Sequence, residues 1–213
     1  MPYRALPAGK SAATLALDNR ISNHEVAAAM SMIASPGQLR ASFLRWALLI
    51  VPLVLVLGLF SATLGNADSM WFRGLTKPAT FPPPATFGIV WTLLFVLMGL
   101  AAAMIAAARG APGRGLALAM FGVQLAINMA WSPVFFGQHQ MHRALMVIIA
   151  LDVAVAFTLY LFWRVRPRAG MLLLPYMAWI LFATLLNWQF IQANPDADGR
   201  PTSNGVTRIQ IGP

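Results

Sequence analysis

From Trp46 onward, apolar residues gather into five long runs, at about 46–65, 87–108, 115–136, 144–163 and 170–190, separated by stretches holding Arg, Gly, Pro or His. About 20 predominantly apolar residues, wound as α-helix, cross the roughly 30 Å of hydrocarbon in a bilayer. The pattern therefore predicts an all-α integral membrane fold, a bundle of five transmembrane helices. The connections around 109–114, 137–143 and 164–168 are so short that the helices they join must be antiparallel neighbours. The first connection is the long one. Its core, "WFRGLTKPATFPPPATFGIVW" (71–91), begins and ends on tryptophan and carries Arg73, Lys77 and four prolines.

Polarity along the chain also predicts its organisation. Residues 1–42 are Ala/Ser-rich and lack a long apolar run, and read as a mobile N-terminal extension; 43–192 form the membrane domain and 193–213 a flexible tail. No short apolar core with a cleavage site precedes the first run, so the start is not read as a signal peptide. Its Arg and Ser content resembles an organelle transit peptide, although Asp18 and Glu25 argue against that, and a start at Met30 or Met32 is a third possibility.

Composition strengthens the membrane reading: 59% of residues are hydrophobic, 10% are charged and the mean hydropathy is +0.68, more apolar surface than one soluble core of this size would hide. The net charge of +9 is spread over helix ends rather than gathered on a soluble module, so it reads as a topology signal and not as a nucleic-acid surface. Arg40, Arg45, Arg109, Arg114, Arg164, Arg166 and Arg168 flank the spans on one side, against Arg73, Lys77 and Arg143, with the more distant Arg200 and Arg208, on the other. The positive-inside rule then puts the N-terminus in the cytoplasm and the proline-rich loop outside, with a bacterial inner membrane favoured over a bacterial or mitochondrial outer membrane.

Candidate chemistry is sparse. The absence of cysteine excludes disulfides, thiolate metal sites and thiol catalysis. Lysine occurs only at Lys10 and Lys77, outside the spans, which excludes an intrabundle retinal Schiff base. His139 and His142 lie three apart at a helix edge without carboxylate company, and read as a surface pair, with no metal site expected. No phosphate-binding glycine loop, carboxylate pair or Ser/His/Asp set supports a hydrolase, a kinase or an ATP-driven pump. Asp152 is the one acidic residue within a span, and is equally a coupling group or a hydrogen-bonded structural carboxyl. Gln124, Asn128 and Asn187 read as interhelical hydrogen-bonding amides, and Pro52, Pro133 and Pro175 as kinks that open space between helices.

Small residues mark two helices. Gly115, Ala119, Gly122, Ala126 and Ala130 repeat at intervals of four, three, four and four, and Gly99, Ala103 and Ala107 at intervals of four. Either stripe suits close packing within one bundle or a homodimer seam, and the spacing does not choose. Among the seven tryptophans, Trp46, Trp71 and Trp163 sit near span ends, where an interfacial belt explains them. Trp91, Trp131, Trp179 and Trp188 lie deeper, and suit either a packed core or the wall of a pocket for a large, flat, apolar ligand.

The residues also carry a family resemblance. Trp71, Leu75, Lys77-Pro78, Pro82-Pro83, Phe87 and Val90-Trp91, then Leu94-Phe95 and Met98-Gly99, resemble the signature of the TspO/MBR family (translocator protein, tryptophan-rich sensory protein, peripheral-type benzodiazepine receptor). "QLAINMAWSPVFFG" (124–137) and "LPYMAWILFATLLNW" (174–188) resemble its third- and fifth-helix motifs, so the likeness covers about 46–190.

That resemblance implies a five-helix bundle, usually a homodimer, which binds porphyrins such as protoporphyrin IX and haem, sterols and benzodiazepine-type drugs, as ligands rather than obligatory cofactors, in a pocket capped by the first loop. Carried over by residue, the implied ligand site is Trp71, Lys77, Pro78, Phe87, Trp91, Asn128, Trp131, Trp179, Ala183, Leu186 and Asn187. Phe81 is a second covering aromatic, and Arg73 and Lys77 are candidate partners for propionates. The dimer seam falls on Gly115, Ala119, Gly122 and Ala126. The family's cholesterol-recognition pattern is degenerate, with Trp188 in the aromatic place and the next basic residue at Arg200. The leading expectation is a tetrapyrrole sensor, regulator or transporter. The alternatives are a light- and oxygen-dependent porphyrin-degrading enzyme using Trp91 and Trp179, and a structural, partner-regulating membrane protein.

Overall fold

The computed structural model describes residues 36–65 and 67–199. The chain divides into two compact units, 1–41 and 42–213, and the second carries the membrane bundle. Among the described residues six α-helices follow one another: α1 (Pro36–Leu64), the short α2 (Met70–Gly74), α3 (Pro84–Ala106), α4 (Arg114–Ser132), α5 (Met141–Val165) and α6 (Pro167–Ala193). A π-helical turn, Pro133–Gly137, prolongs α4. All but α2 are long and apolar enough to cross a membrane, so the five predicted spans stand. Helix α1 begins well before Trp46, because hydropathy marks the stretch that lies in hydrocarbon and nothing in the preceding polar turns breaks the helix. Residues 1–35 of the expected N-terminal extension lie outside the described residues.

Proline shapes the elements at several points. Pro84 and Pro167 open α3 and α6, where the missing N–H is no loss. Pro52 and Pro175 lie inside α1 and α6. At Pro133 the helix widens into the π-helical turn, and Gln138 N donates to the Pro133 carbonyl at 2.9 Å. In the tight turn after α3, Gly110 and Gly113 take φ of 79° and 77°, left-handed values at which a side chain is strained, and α4 starts immediately beyond.

Helix α5 packs on α4 and α6, and α6 packs on α3. Helix α1 lies against α3 and α4 through small residues. A Cβ on Gly99 would fall 2.7 Å from the Val51 Cα, one on Gly58 would fall 2.3 Å from the Phe95 ring, and one on Gly65 would fall 2.5 Å from the Ser132 carbonyl oxygen. Ser61 Oγ donates to the Met129 carbonyl at 2.6 Å. The stripe Gly99, Ala103, Ala107 is therefore buried inside the bundle, whereas Gly115, Ala119, Gly122, Ala126 and Ala130 are all exposed.

Buried apolar residues form two clusters. One, including Phe95, Met98, Ile105, Leu151, Phe162 and Ile180, fills the middle of the bundle. The other, including Trp71, Phe72, Leu75, Phe135, Met141 and Phe190, lies under the first loop. The opposite end of the membrane unit carries Arg45, Arg109, Arg114, Arg164, Arg166 and Arg168, and no carboxylate among the described residues.

The reading of 193–213 as one flexible tail is corrected at its start. Asn194 clasps the loop, accepting from Thr76 N at 2.7 Å and donating to the Thr76 carbonyl at 3.0 Å, and Trp71 Nε1 donates to the Ala197 carbonyl at 3.1 Å. Asp198 caps α5 by accepting from the Met141 and His142 backbone, and faces His142 Nδ1 at 2.8 Å. Polar residues beyond a span read as tail unless their partners, remote in sequence, are known. Residues 200–213 lie outside the described residues.

Candidate functional site: a loop-capped aromatic pocket

The loop between α1 and α3 folds over the end of the bundle for local reasons. Ser69 Oγ accepts from Phe72 N at 3.2 Å and starts α2. Lys77 closes it: its ammonium donates to the Phe72 carbonyl and, at 2.9 Å, to that of Leu75, and lies 4.4 Å from the Phe72 ring centroid. Partial burial lowers the Lys77 pKa below the ordinary lysine value. Arg73 Nε donates to the Asp68 carbonyl at 2.8 Å. A turn with Phe81 N on the Pro78 carbonyl, 3.0 Å, then leads through the prolines into α3.

Beneath this loop lies a cavity of about 360 Å³, walled by α1, α3, α4, the π-helical turn, α5 and α6. Its size is that of pockets that enclose a drug-sized ligand, about 300–1,000 Å³. Phe72, Phe81 and Phe190 line its loop end, and Trp91, Phe95, Leu151 and Ile180 lie among its deeper walls. The rings support one another. Trp91 stacks on Phe95 at 5.3 Å, Phe87 meets Trp179 edge-on at 5.8 Å, Trp131 stacks on Phe135 at 5.0 Å, and Phe72 meets Phe136 edge-on at 5.0 Å.

Two hydrogen-bond chains fix the wall. Trp131 Nε1 donates to Asn187 Oδ1 at 3.1 Å, while Asn187 Nδ2 donates to the Met141 carbonyl at 3.0 Å, tying α4, α6 and the start of α5 together. Asn128 Nδ2 donates to the Tyr176 hydroxyl at 3.1 Å, which donates to Gln124 Oε1 at 2.9 Å. Trp179 Nε1 is buried without a hydrogen-bond partner among the described residues.

Of the residues expected at the ligand site, Phe87, Trp91, Asn128, Trp131, Trp179, Ala183, Leu186 and Asn187 share this one cavity. Trp71, Lys77 and Pro78 are not among its walls. Trp71 instead stacks on His139 at 4.5 Å, meets Phe135 edge-on at 5.8 Å and holds the Ala197 carbonyl, so it anchors the loop from behind. Lys77 is occupied with the end of α2, and Arg73 is exposed. The covering aromatics are Phe81, as expected, and Phe72, which sequence reasoning passed over in favour of its neighbour Trp71. Also unforeseen are Phe135, Phe136 and Phe190. The aromatic density of "WSPVFFG" was a legible signal for the first two, but which face they take depends on the widened turn.

Trp188, by contrast, is exposed on the lipid side. Asp152 lies outside the wall: its Oδ2 accepts from Thr184 at 2.8 Å, and its Oδ1 is buried without a partner among the described residues. His139 and His142 serve different neighbours, the first Trp71 and the second Asp198. Among the described residues no three His, Asp or Glu side chains come together as metal ligands would.

The chain matches a family model, TspO/MBR family, over residues 48–192. The chain belongs to the TspO/MBR family. It is 40% identical to the tryptophan-rich sensory protein of Cereibacter sphaeroides over 124 residues, 58% of this chain and 77% of that protein. It is 39% identical to the tryptophan-rich protein TspO of Archaeoglobus fulgidus over 143 residues, 66% of this chain and 92% of that protein. With the human translocator protein it shares 38% identity over 120 residues, 55% of this chain and 71% of the human one. This TspO/MBR protein is thus a multi-pass membrane protein whose loop, pocket and fifth span lie within the matched region.

Proposed function

We propose that this TspO/MBR protein binds a porphyrin, protoporphyrin IX or haem, in the loop-capped pocket, and acts as a tetrapyrrole sensor, regulator or transporter, with sterols as further ligands. The observation that carries the reading is the cavity itself, a wide apolar space walled by Trp91, Trp131, Trp179 and seven phenylalanines beneath a loop. A flat macrocycle gains most from such a site, because stacking and burial of apolar area scale with ring face. The names of its relatives, sensory and translocator, agree with a ligand-responsive membrane protein. We place it in a bacterial inner membrane with the arginine-rich end in the cytoplasm, and as a homodimer through the exposed stripe Gly115, Ala119, Gly122 and Ala126.

Titration of the detergent-purified protein with protoporphyrin IX in the dark, followed by tryptophan quenching, tests the reading. Saturable micromolar binding, weakened in Trp91→Phe/Trp179→Phe, is the expected result. Equal, unsaturable quenching in both proteins overturns it. A second reading, light- and oxygen-dependent porphyrin breakdown, is favoured by the two oxidisable rings of Trp91 and Trp179 in one wall. A discrete product formed catalytically on illumination by the wild type, and lost in the variant, selects it.

A further inference from the structure

The segment after α6 is short and polar, and it meets the first loop where that loop crosses the pocket. At its start the buried Asn194 commits its whole amide to backbone groups. Its Oδ1 accepts from Thr76 N at 2.7 Å, and its Nδ2 donates to the Thr76 and Phe190 carbonyls, both at 3.0 Å. One side chain therefore pairs both backbone groups of a single loop residue, as a neighbouring strand would, and ties that pairing to the last turn of α6. Three residues on, the Ala197 carbonyl accepts from Trp71 Nε1 at 3.1 Å, and Ala197 packs on the apolar cluster under the loop.

The far end of the segment is pinned to α5. Asp198 Oδ1 accepts from Met141 N and, at 3.3 Å, from His142 N, two N–H groups of a first helical turn that have no partner within the helix. A carboxylate placed there also meets the positive end of the helix dipole. Gly199 N adds a bond to the His139 carbonyl at 2.8 Å. Met141 joins this anchor to the pocket wall. Its N–H is held by the segment, while its carbonyl accepts from Asn187, the residue that holds the Trp131 indole.

What these anchors hold down is the cover of the pocket. Phe72 and Phe81 line the loop end of the cavity, and both rest on Phe190, with ring centroids 5.7 and 5.5 Å apart. Phe190 is also the residue whose carbonyl Asn194 holds. Thr80 donates to Gln189 Oε1 on α6 as well. Within the loop, α2 is capped by Ser69 and closed by Lys77, so its local structure survives without the rest of the molecule. For Phe72 and Phe81 to leave the cavity together, that preformed unit must part from Asn194, Ala197 and Gln189. Hydrogen bonds to the end of α6 and the segment beyond it therefore stand between the closed and the open loop.

We infer that residues 194–199 are a latch, which holds the first loop closed over the pocket and whose release sets the rate at which ligand enters and leaves. Control of ligand exchange rests on the porphyrin reading; closure of the loop does not. Asn194 is a positioning residue, since it touches backbone and is not among the cavity walls. Its role has a kinetic signature. A residue that contacts ligand, or only supports the wall, acts chiefly on dissociation and so on affinity. A latch that opens in the empty and the occupied protein alike changes both rates and leaves their ratio nearly constant.

Asn194→Asp keeps the shape of the side chain but turns a donor facing two carbonyls into a carboxylate oxygen. In hydrogen–deuterium exchange of the ligand-free, full-length protein in detergent, the amides of 71–81 should exchange about tenfold faster in the variant, while those of 90–105 in α3 stay as in the wild type. Unchanged exchange across 71–81, or equal acceleration in α3, overturns the latch, and neither readout involves a ligand. Stopped-flow mixing with protoporphyrin IX in the dark should show association and dissociation both about fivefold faster, with Kd within about twofold of wild type. An unchanged association rate overturns the proposal, because Asn194 would then only support the wall. Thr80→Cys/Gln189→Cys, made in a chain without cysteine, leaves the Asn194 clasp intact and lets a short bismaleimide lock the loop to α6. The cross-linked protein should take up and release porphyrin about tenfold more slowly than the same variant capped with N-ethylmaleimide. Equal rates overturn the latch by showing that ligand passes elsewhere. If the wild type fails to bind protoporphyrin IX saturably, the porphyrin reading falls alone, and hydrogen exchange still decides whether 194–199 hold the loop closed.

Discussion

Helices α3 and α4 carry small-residue stripes of nearly the same spacing, yet they meet opposite fates. On α3, Gly99, Ala103 and Ala107 are buried, and Gly99 lets the α1 backbone approach so closely that a Cβ would sit 2.7 Å from the Val51 Cα. On α4 the whole stripe from Gly115 to Ala130 is exposed, and a Cβ added to Gly115 or Gly122 would meet nothing within 4 Å. Small residues allow close approach without specifying what approaches. On α3, Gly99 is met by the chain's own α1, whereas nothing among the described residues closes on Gly115 or Gly122 of the α4 stripe.

The largest effect that can break this contrast is expected at Gly99→Leu. The obstacle is backbone, which cannot rotate away, so overpacking should cost about 1–3 kcal/mol and lower the thermal midpoint of the detergent-solubilised protein. An unshifted midpoint would mean that α1 is not seated on α3 as described. Asn187→Leu comes next. It strands the Trp131 indole N–H and removes one of the bonds to the Met141 carbonyl, and a buried group left unsatisfied costs about 1–3 kcal/mol, so stability and porphyrin affinity should fall together. Loss of affinity at unchanged stability would assign Asn187 to the ligand and not to the wall.

Ser61→Ala tests the α1–α4 contact more gently. Loss of its bond to the Met129 carbonyl should destabilise by about 0.5–1.5 kcal/mol, measurable by thermal unfolding, with no change in oligomeric state. Gly122→Leu should leave protomer stability within about 0.5 kcal/mol, since nothing is there to clash with. If the α4 stripe is the homodimer seam, light scattering should show a monomer that still binds porphyrin. A dimer that survives Gly122→Leu moves the seam elsewhere. Smallest of all, Trp179→Phe removes an indole N–H that makes no hydrogen bond among the described residues, so its unfolding temperature should stay close to wild type. Any loss of porphyrin binding in that variant then reports the ring face and not the fold.

The loop-capped pocket and the loop above it show how differently sequence speaks about two kinds of residue. Phe87, Trp91, Asn128, Trp131, Trp179, Ala183, Leu186 and Asn187 were legible through the family resemblance, because each sits within one of its motifs, and the fold brings all of them to one cavity. On the loop the same reasoning failed by one residue. Trp71 and Phe72 are adjacent on a single turn of helix, their directions set by the Ser69 cap, the Lys77 closure and the Ala197 carbonyl, and it is Phe72 that faces the cavity. Lys77 was read, with Arg73, as a partner for propionates because a cation on the loop can make charge-assisted pairs. In the folded loop its ammonium is held by carbonyls that exist as partners only once α2 has formed.

Sequence by itself determined that this chain spans a membrane five times, in antiparallel order, with an arginine-rich end and a proline-rich end, because apolar run length, loop length and charge are local properties that the bilayer reads directly. It also determined the family, because three motifs in order are carried by side chains, not by contacts. Tertiary structure decided which small-residue stripe is consumed within the protomer, which aromatic covers the pocket, and that residues 194–199 are strapped to the loop. Those outcomes depend on groups brought together from distant parts of the chain, and spacing along a sequence carries no record of which of two equally suitable surfaces another helix will reach first.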